Sequence, residues 1–345
     1  MVPATAVLLL GAVAMGAFTS SSSTASLPET NPRALLAAVQ TDATNPNRGY
    51  SGTIVVDASV DGQQDESNSQ ASSTQVDRTA TASSGGALAS FTTMLAGPHT
   101  LRFWYSGPQR QRVALLRPNS ETDFFHNGAD LWQWDSASQV VSHSRATVDD
   151  GWTLPLTFAV LTPQQLAAHA LNAIDDATTV SVGPQQTVAD RPCYQLVITP
   201  GDGRSRIGSV RLSIDAQTKV PLSAQVYARD DDTQPAVDAT FTAVRFKRPA
   251  ASYFRFSPAA TQQTRAPQPA PSAVGGDGFA TVVEYAAAAD QLAEAISPMM
   301  RPVSGAFGTG QLLESPLLCL LALPDGRVYL GSVDPGALYQ AASGK

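Results

Sequence analysis

ADRPCYQLVITP (189–200) opens the part of the sequence that decides the fold, and it is followed by SVRLSIDAQTKVPLSAQVYA (209–228), FTAVRF (241–246) and FRF (254–256). Apolar and polar residues alternate within each run, which is typical of a strand with one buried and one solvated face. Pro221 stands where one of the strands begins, a position that suits proline. The pattern predicts a curved antiparallel meander with one continuous apolar surface that something has to cover.

A second series of strand-like runs extends from His99 to Arg145. Short turns separate these runs, and Asn127-Gly128 is a strong hairpin signal. This second meander is rich in aromatic residues, two of which, Trp132 and Trp134, lie two positions apart and therefore on the same face of a strand. Because alternate residues point to opposite faces, only about half of the aromatic side chains can line any one cavity.

Two helices are predicted between and before the meanders. Asn31 and Thr162 are N-cap residues, each followed by a proline at the first helical position, which predicts helices near 32–41 and 163–176. Each helix has one narrow apolar face and each sheet has one dry face. The economical arrangement therefore lays both helices across the concave side of a single bent sheet.

The composition divides the chain into parts. The segment TQQTRAPQPAPSAVGGDG (261–278) is a proline-rich linker without core residues. We predict a half-barrel domain over 30–258, a linker over 259–278 and a small C-terminal α+β domain over 279–345. The overall fold class is α+β, mainly β, with a strongly bent, open antiparallel half-barrel covered by helices.

The first residues indicate export. An apolar run, VPATAVLLLGAVAMGAF (2–18), precedes a small polar tract in which Ser23 and Ala25 suit a signal-peptide cleavage site. No lysine or arginine precedes the run, so an uncleaved N-terminal anchor is the alternative reading of residues 1–26. We therefore expect an extracytoplasmic protein, either secreted or anchored to the cell membrane.

The composition and motifs exclude several classes of function. The net charge of -7 argues against a nucleic-acid partner, because such binding depends on clustered lysine and arginine. The four histidines do not occur in metal-binding spacing, and the sequence contains no CxxC, GxSxG, SxxK or Walker motif. We therefore expect no catalytic residues, no metal and no cofactor.

The two cysteines, Cys193 and Cys319, lie 126 residues apart in apolar, strand-like contexts. In an exported protein they can form a disulfide. The alternative, which we favour, is two buried free thiols in different domains, because sequence alone does not show whether their Cα atoms come close enough to bond.

ADRPCYQLVITP, SVRLSIDAQTKVPLSAQVYA and FTAVRFKRPAASYFRFSP (241–258) resemble the second half of the LolA-like superfamily, and the similarity extends over 33–258. The shared motifs are a Tyr-x-Leu…Pro strand, an Asp-turn-Pro-Leu hairpin and a terminal Phe-x-Phe-x-Pro. The superfamily includes lipoprotein carriers, RseB/MucB regulators of envelope-stress sigma factors and exported actinobacterial relatives. The resemblance implies an open half-barrel closed by helices, and the tail at 279–345 resembles the C-terminal domain of RseB-type proteins.

The resemblance and the aromatic meander together suggest an apolar pocket between sheet and helices. The residues that we expect to line this lipid-binding pocket are Trp104, Val113, Leu115, Phe124, Trp132, Trp134, Phe158, Leu166 and Leu171. In lipoprotein carriers an inner arginine holds the lid helix, and Arg102 and Arg112 are candidates by location. A buried acyl chain of about 14 carbons gains roughly 10 kcal/mol gross, at about 0.8 kcal/mol per methylene.

The leading hypothesis is a non-enzymatic exported protein that binds the acyl chain of a lipid or lipoprotein. The alternative is an RseB-like regulator that binds a membrane anti-sigma factor in envelope-stress signalling. The C-terminal unit distinguishes the two hypotheses, because a simple carrier does not need residues 279–345.

Overall fold

A computed structural model of the chain describes residues 27–58, 98–145, 162–258, 263–265, 272–285 and 300–344. The predicted signal or anchor at 1–26 and the candidate pocket residue Phe158 lie outside these ranges.

The helices and strands of the first part of the chain are α1 Pro32–Ala43, β1 Gly49–Ala58, β2 His99–Ser106, β3 Arg110–Arg117, β4 Ser120–Asn127, β5 Asp130–Asp135, β6 Val140–Arg145, α2 Pro163–Asn172, β7 Thr179–Val188, β8 Arg191–Thr199, β9 Ile207–Asp215, β10 Pro221–Ala228 and β11 Val237–Arg245. Those of the second part are β12 Gln263–Arg265, β13 Ser272–Gly275, β14 Val282–Tyr285, β15 Arg301–Gly305, β16 Gly308–Glu314, β17 Cys319–Ala322, β18 Val328–Gly331 and α3 Pro335–Ala342.

Twelve strands form one large sheet in the order β12-β6-β5-β4-β3-β2-β1-β11-β10-β9-β8-β7. Neighbouring strands are antiparallel except for the short parallel pair of β12 and β6. β1 pairs with both β2 and β11 and so joins the two meanders into one sheet. The sheet does not close, because β12 and β7 are its two edges. The predicted fold class, mainly β with one open antiparallel sheet, is confirmed.

The large sheet is strongly bent. β8, β9 and β10 separate β7 from β11, which would place β7 and β11 about 19 Å apart in a flat sheet with strands spaced by about 4.8 Å. Cα atoms of β7 and β11 nevertheless come within 8 Å of each other. At the same end the Arg191 guanidinium lies 4.7 Å from the centre of the Phe246 ring. The sheet therefore curls toward itself, as expected of a half-barrel.

Both helices begin where the sequence predicts. The Asn31 side chain accepts a hydrogen bond from the Ala34 backbone at 2.8 Å, and Thr162 forms a capping box with Gln165. α1 packs against β7 and β8, and α2 packs against β9, β10 and β11. We call the helix-bearing side of the large sheet its inner face and the other side its outer face.

The expected strand FRF (254–256) is wrong. Residues Ala251–Phe254 form a short 3-10 helix, and the chain after it is extended but unpaired. The physical reason is that β11 already pairs with β1 on one side and β10 on the other. No edge of β11 is left for a following hairpin strand, and the segment instead crosses the outer face over β3 and β4.

The remaining strands form a second sheet in the order β13-β14-β18-β17-β16-β15, against which α3 packs. Within the predicted linker, β12 pairs with the first sheet and β13 with the second. The division into a half-barrel domain, a linker and a C-terminal domain stays a prediction. The two cysteines are buried free thiols, Cys193 in the first sheet and Cys319 in the second.

Arg206, at the start of β9, connects the two sheets. Its guanidinium donates to the Ser315 carbonyl at 2.7 Å and forms ion pairs with Glu314 and Asp334. Its backbone N–H donates to the Ser332 carbonyl at 2.7 Å. Because backbone and side chain of one residue both bond to the second unit, this contact fixes that unit to the β9 end of the first sheet.

Candidate functional site

The inner face of β2, β3 and β4 is apolar across neighbouring strands. Cross-strand pairing aligns Phe103, Val113 and Phe124 in one row, and Leu101 and Leu115 in the next. All five side chains are buried, with exposures from 0 to 6%. They belong to one core cluster with Ile54, Leu222, Ala239 and Phe241 from β1, β10 and β11. This cluster is the apolar wall of the candidate site.

Helix α2 reaches this wall through Leu166. Leu166 is partly buried and packs against both the cluster of Phe103 and a second cluster that lies under the two helices. Leu171 packs only with the second cluster, beside Leu35 and Val39 of α1. The structure therefore brings together four of the predicted pocket residues, Val113, Leu115, Phe124 and Leu166, and places Leu171 to one side of them.

The three predicted tryptophans lie on the outer face. The register places Trp104, Arg112, Phe125 and Trp132 in one row that continues to His143 of β6. Trp134 lies beside Trp132 on the same face, opposite Asp123. Trp104, Trp132 and Trp134 therefore do not share a cavity with Val113, Leu115 and Phe124, because the sheet lies between the two sets.

The two candidate lid arginines also lie on the outer face. The Arg112 guanidinium lies 4.9 Å from the centre of the Trp104 ring and 4.8 Å from that of Phe125. Its Nε donates to Asp123 Oδ1 at 2.7 Å, and the Asp123 side chain is 1% exposed. Arg102 is exposed and pairs across to Ala114 on the same outer face. Neither arginine is directed toward α1 or α2.

A segment of the chain itself covers the outer face. The Tyr253 ring stacks on Trp104 with 5.6 Å between ring centres. Phe256 lies 5.1 Å from Phe125 and 5.6 Å from Trp132, again between ring centres. Sequence reasoning missed this contact because it assigned Phe256 to a strand. The available signal is the presence of two proline residues, Pro249 and Pro258, on either side of an aromatic-rich segment.

A polar row closes one end of the inner face. Tyr50, Tyr105, Gln111 and His126 are consecutive cross-strand partners from β1 to β4. The Tyr50 and Tyr105 rings stack at 5.0 Å, and burial raises the pKa of both phenols, so both are uncharged at neutral pH. Burial lowers the pKa of His126, which keeps this imidazole neutral too. Sequence reasoning did not identify this row, because its residues belong to four separate strands.

No helix in the described ranges is long and apolar enough to cross a membrane. The described histidine, cysteine, aspartate and glutamate side chains form no group suited to hold a metal ion.

Comparison with known proteins gives matches among solved structures only. No protein-family model and no curated protein sequence matches the chain. The MucA/MucB complex of Pseudomonas aeruginosa matches at 14% identity and a TM-score of 0.47, over 89% of this chain and 96% of that one. A LolA superfamily protein from Nitrosomonas europaea matches at 11% identity and a TM-score of 0.26, over 66% and 99%.

An uncharacterised conserved protein from Thermus thermophilus also matches, at 10% identity and a TM-score of 0.38, over 68% of this chain and 98% of that one. MucB and the LolA superfamily are the classes of protein that the sequence resemblance names. With TM-scores below 0.5 these superpositions are loose. The strand order, the bend of the sheet and the position of the helices define the fold.

Proposed function

We propose that this chain is a non-enzymatic, extracytoplasmic binding protein that holds the acyl chain of a lipid or lipoprotein against its inner face. The observation that supports this proposal most directly is the continuous apolar wall that carries Phe103, Val113 and Phe124. Leu166, on a helix and only partly buried, lies over this wall. An acyl chain enters by displacing Leu166 and the rest of the cover from part of the wall.

The energetics favour such an exchange. A surface that is apolar and covered by other apolar side chains loses little when an acyl chain replaces those side chains. The ligand meanwhile removes its own apolar area from water, at about 25 cal/mol per Å². Part of this gain is offset by the cost of association and of moving the helix.

A pair of adjacent residues gives a matched test of which face binds. Phe124 and Phe125 are both 6% exposed, but Phe124 lies on the inner face and Phe125 on the outer face. In separate Phe124→Trp and Phe125→Trp variants, a bromine-labelled fatty acid should quench a larger share of the tryptophan fluorescence than in the unaltered protein only in the first, because bromine quenches at short range and the native Trp104 and Trp132 lie on the outer face. Equal quenching, or quenching confined to Phe125→Trp, contradicts binding on the inner face.

Export is part of the same proposal. If the N-terminal segment is a signal peptide cleaved after Ala25, the mature protein begins at Ser26. N-terminal sequencing of the protein from the extracytoplasmic fraction tests this. A protein that keeps its first residues and stays in the membrane fraction identifies the segment as an anchor, and recovery in the cytoplasm contradicts export.

The second candidate function is regulation through a membrane anti-sigma factor. The observation that favours it is the attachment of the second sheet through Arg206, since a carrier needs only the first sheet. The test is to cross-link the protein in cell membranes and identify the captured partner by mass spectrometry. Arg206→Ala should abolish capture of an anti-sigma factor, whereas Arg229→Ala, at a side chain that donates to the Asp202 and Gly203 carbonyls of the first unit, should not. Capture that is unchanged in Arg206→Ala contradicts a role for the fixed second unit.

A further inference from the structure

The polar row of Tyr50, Tyr105, Gln111 and His126 directly adjoins the apolar wall. Along each strand, residues that share a face repeat at about 7 Å, so the row lies one such step from Phe103, Val113 and Phe124. An acyl chain on the wall with its end toward this row would place its polar group against these four side chains. The row is therefore where the polar end of an acyl ligand can be recognised.

Gln111 has an unused hydrogen-bond acceptor in this row. Its side chain is 3% exposed, and its Nε2 donates to the Pro108 carbonyl at 3.0 Å. Its Oε1 is buried and accepts no hydrogen bond from any residue in the described ranges. A buried amide oxygen without a donor carries a free-energy cost, which a ligand that donates a hydrogen bond removes.

Gln164 of α2 supplies a second acceptor at the same end. Its Nε2 donates to the Pro221 carbonyl at 2.8 Å, and its Oε1 is buried without a donor among the described residues. Pro221 begins β10 and Tyr50 lies at the beginning of β1, and both strands start at the end of the sheet where β11 finishes. Gln111 and Gln164 therefore lie at opposite ends of the Tyr105–Tyr50 stack.

The charges nearby determine which ligand groups fit. Arg48 pairs with Asp42 and donates to the Thr218 carbonyl at 2.8 Å, so its charge is already balanced. Tyr105 already donates its hydroxyl to the Ala43 carbonyl at 3.2 Å. An anionic group would meet amide oxygens without a compensating cation from the described residues, and burying an unpaired charge is costly. A neutral group that donates hydrogen bonds fits instead.

We propose, on the basis of the proposed acyl-binding function, that Gln111 and Gln164 each accept a hydrogen bond from a different hydroxyl or amide N–H of an uncharged acyl ligand, such as an acylglycerol with two free hydroxyls. The two amide oxygens select against ionised fatty acids and phosphorylated lipids of the same chain length. Gln111 is the specificity-determining residue, because its free oxygen lies on the sheet and does not depend on the position of the helix.

The experiment compares three ligands with the same tail: monomyristoylglycerol, myristate and 1-myristoylglycerol 3-phosphate. Their dissociation constants are measured by displacement of a fluorescent acyl probe from the full-length protein. We expect monomyristoylglycerol to bind about 10-fold more tightly than the two anions, as one or two hydrogen bonds to a buried acceptor provide.

Gln111→Leu should weaken the binding of monomyristoylglycerol about 10-fold and leave the affinity for myristate unchanged. Leucine has a similar volume to glutamine but has no hydrogen-bond acceptor. The matched control is Gln195→Leu, at a glutamine that is 7% exposed and lies on the outer face. This control should change neither affinity. Thermal unfolding of each variant verifies that it is folded.

The outcomes separate the two proposals. Equal binding of all three ligands, unaffected by Gln111→Leu, overturns donor recognition but leaves acyl binding in place. Tighter binding of the phosphate also overturns donor recognition. If Gln111→Leu alters stability but no dissociation constant, the amide oxygen is only hydrated and the inference is wrong. Failure of all three ligands to bind contradicts acyl binding itself.

Discussion

The two faces of strands β2 to β5 are buried to similar degrees but are built differently. Phe124 and Phe125 are neighbours in sequence and each is 6% exposed. The inner face at Phe124 is an apolar wall across β2, β3 and β4, with no ion pair in the row that runs from Phe103 through Val113 and Phe124 to Gln133 of β5. The outer face at Phe125 has the Arg112–Asp123 ion pair in its middle and is covered by the chain's own segment 251–258. Burial alone therefore does not distinguish the two faces, whereas the position of the charges does.

The largest expected effect comes from removing a ring of the inner wall. Phe103 is fully buried, with the Tyr50 and Phe241 rings 5.7 and 6.2 Å away. Phe103→Ala should reduce the free energy of unfolding by about 4 kcal/mol, since it removes buried area and leaves a cavity. Urea denaturation measures the loss. A loss below about 1 kcal/mol would mean that the wall collapses easily around a missing side chain.

The next largest effect tests the charge on the outer face. Asp123→Ala leaves Arg112 between two aromatic rings without its counter-ion. Because the Arg112 side chain is 22% exposed, we expect the low end of the cost of breaking a buried pair, about 3 kcal/mol. Urea denaturation measures the change.

The double variant Arg112→Met with Asp123→Ala separates two contributions to this loss of stability: the cost of an unpaired Arg112 charge and the cost of lost packing. Removing both charges should restore part of the stability, because no unpaired ion remains in the aromatic row. A double variant that is less stable than Asp123→Ala would show that Arg112 acts mainly through its packing on Trp104 and Phe125.

The contrast between the faces also explains what sequence could predict. Period-two alternation and the two N-cap residues were sufficient to predict the open sheet and its helical cover, because each of these patterns lies within a single strand or helix. The candidate pocket mixed both faces, since Trp104 and Val113 belong to different strands and their relative side depends on the register. The polar row from Tyr50 to His126 exists only through pairing of four strands. No local pattern encodes such a row.

A smaller effect is expected at the cover of the outer face. Phe256 packs on Phe125 and Trp132 and is partly buried. Phe256→Ala should destabilise the protein by about 2 kcal/mol through lost ring contacts and buried area. Tyr253→Ala is the matched comparison, at a ring that is 44% exposed and stacks on Trp104 alone, and should cost only about 1 kcal/mol. Equal costs, measured by urea denaturation, would mean that the segment 251–258 is held elsewhere.

The smallest effect is expected at Asp135, a carboxylate of the inner face that ends β5 and lies opposite Thr122 of β4. Burial raises the pKa of Asp135, but hydrogen bonds from the Ser138 backbone and hydroxyl and from the Thr122 hydroxyl, together with the positive charge of Arg117 3.7 Å away, outweigh burial, and the pKa is lowered overall. A lowered folded-state pKa stabilises the fold above the unfolded value of about 4, and this stability is lost as the pH falls through the folded value.

Asp135→Asn should therefore cost about 1 kcal/mol at pH 7, as expected for charge-assisted hydrogen bonds at a partly exposed site, and almost nothing at pH 2. Urea denaturation at both pH values measures the difference, and Ser138→Ala should remove part of the same pH dependence. A cost that is the same at both pH values would assign the contribution of Asp135 to shape and not to charge. In that case the inner face would have no stabilising carboxylate at the end of β5. The outer face would still have one, the buried Asp123.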